Sequence, residues 1–419
     1  MRILHISTRL ILGGSQENTV LSCEEQTRRG HEVHLAFGPI YGPEGSLFAR
    51  VGAFRAGDGR RIETHLVPHL VRDLRVISDW HAKRELRALI KRLRPDVVHT
   101  HSSKAGILGR LAAWDMHVPA IVHTIHGPPF MPVEGSALTR LKVRTLNLAY
   151  TIAERRAATR CHGLISVADA MTRQFLERGI GMPGQYTTVR SGIEQEPYLI
   201  PNPGESRAQM RAFLGIHDSD FVIGTIARLA EHKGHEDLLT GVANDVRQKR
   251  HWKMLWVGDG WWRTRLLARA RAMGLRVVEL DRQPPGTPAP RDADVLVTGL
   301  VPSERVPAML RAMDVLAHPS AREGLPRTVP QALLCGLCPV AYDVDGTGEA
   351  CIDMKTGRLV PANNPAKLRD AIAWCADNQI ERQRMAEAGR EMCVREFSVR
   401  AMVDGLERAY DRARAASKA

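Results

Sequence analysis

The chain has 419 residues, 44% hydrophobic and 25% charged, an ordinary globular composition with enough length for two domains, each with its own core. No apolar run reaches the roughly 18 residues that a membrane span needs, the start "MRILHIS" lacks the cleavage pattern of a signal peptide, and seven scattered cysteines suggest no disulfide framework, so a reducing, cytoplasmic setting is expected. The net charge of +13 is concentrated in residues 1–190, which hold 27 Lys and Arg against 16 Asp and Glu, while the remainder holds 32 against 30; this half can face an anionic partner, but not nucleic acid, because zinc-finger spacing, an RNP-type strand and a basic tail are missing.

Short apolar runs alternate with helical patterns along the whole chain, which predicts parallel sheets built from βαβ units. The first series of strands is expected at 2–7, 32–37, 96–101, 120–126 and 163–168, and the second at 221–227, 252–258, 295–300, 314–319 and 338–344. Two series predict two doubly wound sheets. Between them, "SGIEQEPYLIPNPGES" (191–206) reads as a linker, and 281–294 as a loop insertion. From about 364 onward the pattern is helical. The expected domains are therefore 1–192, 193–395 and a terminal helical segment, 396–419, crossing back to the first. Ligands of such folds sit at the carboxyl ends of strands, so a cleft between the two sheets is the expected site.

Gly13 and Gly14 follow the first strand and open a helix, where glycine permits close approach to an anion or simply makes a tight turn. In "HAKRELRALIKRLRP" (81–95), Lys83, Arg84, Arg87, Lys91 and Arg94 recur at helical spacing, with Leu86, Leu89, Ile90 and Leu93 on another face. Such a helix packs on its sheet and turns its cations outward, toward solvent or an anionic membrane. "TRLKVRTLNLAYTIAERRAATR" (139–160) offers a second basic surface. His99, His101 and His123 alternate with apolar residues and read as satisfied strand-end histidines rather than metal ligands.

In the second half, Arg228 and Lys233 in "ARLAEHKGHEDLL" stand between a strand and a helix. Two cations of different reach suit a pyrophosphate, Arg through its fork and Lys as a point charge; surface charge is the plainer reading. "WVGDG" adds Gly258, Asp259 and Gly260 at a second strand end, and Gly299 marks a third. In "AREGLPRTVPQALLCGLCPV" (321–340), Pro326 and Pro330 are tolerated only in a helix's first turn, which predicts a helix start near 325–330. Its free amides then face the ligand together with Gly324, Leu325 and Pro326, and Glu323 and Gln331 flank it within reach of one elongated polar molecule. "CGLC" spans a helix end, a Gly turn and a strand start, with no second C-x-x-C to complete a zinc site. "DVD" (343–345) imitates a metal-binding D-x-D but follows a strand and precedes Gly346.

Gly13-Gly14, "VHTHSSKAGILGRLAA" (98–113), "VHTIHG" (122–127), "SGIE" (191–194), "ARLAEHKG" (227–234), "VGDG" and "REGLPRTVPQALLCGLCPV" occur in the order seen in retaining glycosyltransferases of family 4, which the chain resembles over nearly its whole length. The resemblance implies the GT-B fold, two facing Rossmann-like domains with an interdomain cleft; a nucleotide-sugar donor, a UDP-sugar, held mainly by the second domain; a glycan or lipid-linked acceptor held by the first; and no metal or other cofactor. Carried over, Arg228 and Lys233 hold the diphosphate, Glu323 contacts the donor sugar and His126 sits over it. The family's acid-x7-acid element ends here in Gln331, which keeps one acceptor oxygen for the ribose hydroxyls without the strength of a charged acceptor. Polysaccharide synthesis at the cytoplasmic face of a membrane is the expected setting. The alternative is a catalytically weak or inactive nucleotide-sugar or glycan-binding protein in which Gln331 marks a decayed donor site.

Overall fold

The computed structural model describes residues 1–40, 45–131, 133, 136–284, 286–287 and 289–417; Pro285 and Pro288 of the predicted loop and residues 418–419 of the terminal segment lie outside them. The chain divides into two compact units, one made of Met1–Ile193 and the segment from Ser398 on, the other of Glu194–Phe397.

In the first unit, β1 (Arg2–Ser7), β2 (Glu32–Phe37), β3 (Glu63–Leu66), β4 (Val97–His101), β5 (Ala120–Ile125), β6 (Gly163–Ser166) and β7 (Tyr186–Thr188) form one sheet in the order β3-β2-β1-β4-β5-β6-β7. In the second, β8 (Phe221–Ile226), β9 (Trp252–Val257), β10 (Val277–Glu279), β11 (Val295–Val297), β12 (Val315–His318), β13 (Cys338–Asp343) and β14 (Arg358–Pro361) take the order β10-β11-β9-β8-β12-β13-β14. Every pairing is parallel. All ten runs read from the sequence form strands. The four that the sequence does not announce, β3, β7, β10 and β14, are the four sheet edges, three or four residues long and paired on one side only.

Parallel strands need crossover connections that lay helices on both faces, so central strands are apolar on both sides. In the first unit, helices Gly14–Arg28 and Val399–Ala416 cover the face carrying Ile3, Val97 and Val122, with Met402, Val403, Leu406 and Ala409 buried against it. Ser398 caps the latter helix by accepting the Ala401 N–H at 3.1 Å. On the opposite face, helix Ser103–Asp115 comes so close that a Cβ on Gly109 would stand 2.7 Å from Thr100. In the second unit the core is built on Trp252, Met254, Trp256, Val315 and Tyr342. All seven cysteines are free thiols, and Cys335 is the only one of them not fully buried. Among the described residues no helix is long and apolar enough to cross a membrane.

Helix Ala137–Ala158 is fastened to helix Ser103–Asp115 by an ion pair that water does not reach. Arg110 Nη2 donates to Glu154 Oε2 at 2.6 Å, with both side chains at most 1% exposed. Tyr150 donates to the other carboxylate oxygen at 2.8 Å, and Arg110 Nε to the Gly106 carbonyl at 2.8 Å. Removing one member of such a pair strands the other charge in a medium that solvates it poorly, whereas replacing both with apolar groups is far milder. Glu154→Gln is therefore expected to destabilise the protein by about 3–5 kcal/mol in urea unfolding, and the Arg110→Met, Glu154→Leu double variant to recover most of that loss. Equal losses in both variants would show that the helix is held by something other than this charge balance.

Candidate active site

The second sheet reverses its strand order between β8 and β12. Chains leaving the carboxyl ends of these two neighbours diverge, which opens a crevice at that point. Both loops are tied across it. Ala321 N–H and Ser320 Oγ both donate to the His232 carbonyl, at 2.8 and 3.0 Å. Gly234, at φ +70°, makes this close approach possible, because a Cβ there would lie 1.8 Å from the Pro319 carbonyl oxygen.

The lacing brings together residues 90 positions apart in sequence: Lys233 Nζ lies 2.5 Å from Glu323 Oε1, and His318 Nε2, at the end of β12, is 3.3 Å from the same oxygen. The Glu323 backbone is fixed from a third loop, its N–H donating to Asp345 Oδ2 at 2.7 Å, and Gly346 N–H donates to the Gly324 carbonyl at 2.9 Å. Burial pushes the Glu323 carboxyl up, but Lys233 and His318 outweigh it and hold the group well below the usual carboxylate range. It stands as an anion beside a cation. A group in that state accepts hydrogen bonds and does not donate a proton.

Arg228 is exposed at the end of β8, with its guanidinium 5.6 Å from the centre of the Trp261 ring and no acidic partner among the described residues. That its charge belongs to the same locality is seen at His232. Burial and then Lys233 push this ring toward its neutral form, joined by Arg322 and Arg228, while Glu323 pulls the other way. The glycines lie on the same edge. Gly258, at φ +139°, donates to the Gly299 carbonyl at 3.0 Å, and a Cβ on it would lie 2.1 Å from the Ala227 carbonyl oxygen. Asp259 Oδ1 accepts the Gly260 N–H, and the Asp259 carbonyl accepts from Leu229 N–H. The loops after β8, β9, β11, β12 and β13 thus form one braced rim.

The proline-marked helix runs Thr328–Leu334, two turns, with Pro330 in the first of them. Gly324, Leu325 and Pro326 are buried in the loop ahead of it. Gln331 is 8% exposed, and its side chain makes no hydrogen bond among the described residues. The D-x-D mimic is accounted for by Asp345, which braces Glu323. His318 and Asp345 are the site residues that sequence reading missed. His318 carried a usable signal, since it lies near the end of the strand predicted at 314–319.

In the first unit, Gly13 caps helix Gly14–Arg28 in an extended conformation that any residue adopts, φ −177°. His126, just past β5, borders a cavity of about 350 Å³ with Ser102, Ser103, His123, Tyr150 and Phe175. Its Nε2 is 3.1 Å from His101 Nδ1. His99 and His101 lie with His5 in a buried cluster whose ring nitrogens come within 4.8 Å of one another. His123 lies apart, hydrogen-bonded to Thr100.

Two family models tile this chain: "Glycosyltransferase Family 4" matches residues 12–196 and "Glycosyl transferases group 1" residues 220–378. Among characterised proteins, the UDP-Gal:alpha-D-GlcNAc-diphosphoundecaprenol alpha-1,3-galactosyltransferase of Escherichia coli is 25% identical over 83% of this chain and 84% of its own length. The alpha-D-kanosaminyltransferase of Streptomyces kanamyceticus is 26% identical over 76% of this chain and 79% of its own length. Among solved structures, Anabaena HepE in complex with UDP superposes with a TM-score of 0.73 at 17% identity, covering 97% of this chain and 99% of that one. Matched in both halves by glycosyltransferase models and folded as these enzymes are, the chain belongs to the GT-B glycosyltransferases.

Proposed function

We propose that this glycosyltransferase is a retaining member of family 4 that moves a hexosyl or N-acetylhexosaminyl group from a UDP-sugar to a glycan or lipid-linked acceptor in cell-surface polysaccharide synthesis, without a bound metal. The observation that carries this reading is the Lys233–Glu323–His318 cluster at the reversal point of the second sheet. An ionised Glu323 accepts hydrogen bonds from donor-sugar hydroxyls. Arg228 and Lys233 take up the negative charge that builds on the leaving diphosphate, which is the preorganised electrostatic stabilisation that dominates such transfers. Because Lys233 is shared between Glu323 and the diphosphate, the two halves of the donor are read by one coupled pair. Gln331 faces the ribose hydroxyls, and its lack of a protein partner leaves the amide available to them. The UDP in the name of the E. coli relative and in the HepE complex supports the choice of nucleotide, and the E. coli relative's diphosphoundecaprenol acceptor supports a lipid-linked one.

Glu323→Gln keeps the shape of the side chain and removes the charge. Transfer is expected to fall by about 10²–10³-fold, while the free nucleoside diphosphate still binds. A variant that transfers sugar at a near-normal rate would take Glu323 away from the sugar, and a wild-type protein that binds donors without transferring would support the binding-protein alternative instead.

The acceptor side adds a reversible contact with the anionic inner face of a membrane. Helices Val76–Leu93, Ser103–Asp115 and Ala137–Ala158 pack side by side over the first sheet. The first buries Ala82, Leu86, Leu89 and Ile90 and turns Arg84, Arg87 and Lys91 outward. On the third, Leu138, Leu141, Leu148 and Ile152 share one helical face and are 57–78% exposed, with Arg140, Lys142, Arg144, Arg155 and Arg156 exposed around them. Apolar side chains reaching the acyl boundary and cations worth roughly 1 kcal/mol each at an anionic surface act together. The full chain is expected to sediment with anionic vesicles at low salt, to release at high salt, and to release more readily as the Leu141→Ser, Leu148→Ser variant. Absence of binding at low salt, or binding that salt does not change, would rule out this docking.

A further inference from the structure

The loops after β8 and β9 are zipped together past the ends of their strands. Ala227 N–H donates to the Val257 carbonyl at 3.1 Å, Leu229 N–H to the Asp259 carbonyl at 3.0 Å, and Trp262 N–H to the Leu229 carbonyl at 3.0 Å. A Cβ on Gly260 would lie 2.3 Å from that same Leu229 carbonyl oxygen, so the two backbones touch there. The Leu229 side chain is fully buried and anchors the junction. Arg228, one position before Leu229, and Trp261, one before Trp262, are both exposed and meet there: the guanidinium stands 5.6 Å from the centre of the indole, within the range of a cation–π contact. The contact is placed by backbone hydrogen bonds on either side of it.

Neighbouring cations are held in a different way. Lys233 is bound to Glu323, and Arg263, two residues on from Trp261, is clamped by Asp281 at 2.7 Å and Glu279 at 2.9 Å. A carboxylate fixes a guanidinium by accepting from its N–H groups and cancelling its charge, and those are the two properties an anionic ligand uses. A ring face attracts the cation through its quadrupole and takes up no N–H donor. Arg228 is held in this second way, with no carboxylate on it among the described residues, so its five N–H donors and its charge are not spent on an acid. A side chain already held in place also loses less freedom when a ligand binds. Core packing does not account for the indole, because Trp261 is 66% exposed.

We infer that Trp261 is a positioning residue for Arg228: its ring face holds the guanidinium at the rim of the second sheet, and leaves the charge and the N–H donors of that group available to a diphosphate. The inference rests on the reading of Arg228 as a residue that binds the diphosphate of a nucleotide sugar. Every residue it uses belongs to the second unit. The indole directly follows "VGDG", and the glycines and aspartate of that stretch shape the loop that presents it: Gly258 is bonded to Gly299, Asp259 to Leu229 and Gly260 is packed on the Leu229 carbonyl.

The test is a double-mutant cycle on the full chain, read by calorimetric titration with UDP. Trp261→Leu, a change at an exposed position, is expected to weaken UDP binding about two- to five-fold, the worth of a cation–π contact in water. Trp261→Phe, which keeps a ring face, is expected to recover most of that loss. In an Arg228→Ala background Trp261→Leu is expected to cost nothing further, because the ring acts through the guanidinium. An equal loss in that background would mean that the ring touches the nucleotide itself, and unchanged or tighter UDP binding in Trp261→Leu would mean that the contact does not prepare Arg228 for a ligand; either result overturns the inference. A second measurement needs no ligand: NMR of the chain labelled with ¹⁵N-arginine, with Arg228 assigned by its loss in Arg228→Ala. Its side-chain N–H is expected upfield, in the ring current, in the wild type and in Trp261→Phe, and at the position of a solvated arginine in Trp261→Leu. An unshifted Arg228 in the wild type would overturn the contact. A shifted one in a protein that binds no UDP would support the positioning of Arg228 and contradict the functional reading.

Discussion

An all-parallel sheet aims the carboxyl ends of all its strands at one edge, and a doubly wound order leaves one place on that edge where neighbouring connections diverge. Nearly every feature of the second unit follows from this constraint. The loops after β8 and β12 start side by side and leave in opposite directions, so the crevice between them must be walled by backbone that comes very close. Gly234 is a glycine for that reason, facing the Pro319 carbonyl at a distance no side chain tolerates, and Gly258 meets the same crowding where the loop after β9 passes the Ala227 carbonyl beside β8. Charged groups placed on such loops cannot spread apart. They have to balance one another.

The balance is what makes the crevice chemically useful. Burying Glu323 alone would favour its neutral form. Lys233, with His318 on the same carboxylate oxygen, keeps the carboxylate ionised at the edge of the site. The folded-state pKa of Glu323 lies below its unfolded value, so its contribution to stability is complete above the ordinary carboxylate range and is lost as pH falls toward the folded value. Asp345 keeps the backbone of Glu323 in place, so that the anion is oriented as well as charged. Such a constellation binds hydroxyls and phosphates at fixed spacing.

Much of this was legible in the sequence, for definite reasons. Central parallel strands are apolar on both faces, and all ten predicted strands are there. The edge strands β3, β7, β10 and β14 were missed because a strand of three or four residues, paired on one side, needs no apolar pattern; "ETHL" and "YTT" look like loop. That Arg228, Lys233 and Glu323 lie just past strand ends could be read, because the strands before them are apolar enough to predict. The Lys233–Glu323 pair could not, since periodicity carries no information about partners 90 residues apart. The same holds in the first unit. His99 and His101 were read as satisfied strand-end histidines, yet the groups that satisfy them include Tyr410, more than 300 positions away. The proline-marked helix start was foreseen, whereas its shortness, seven residues, was set by the Gly336 turn that follows it.

The central claim is that the charged rim of the second sheet binds the diphosphate of a nucleotide sugar. Calorimetric titration of the purified full chain with UMP, UDP and a panel of nucleotide sugars tests it most directly. The expected result is saturable binding of UDP, at least tenfold tighter than that of UMP, a difference of about 1.4 kcal/mol, with the advantage lost when Arg228 and Lys233 are both replaced by Ala. Equal affinity for the mono- and diphosphate, or a diphosphate preference that survives the loss of both cations, would contradict it.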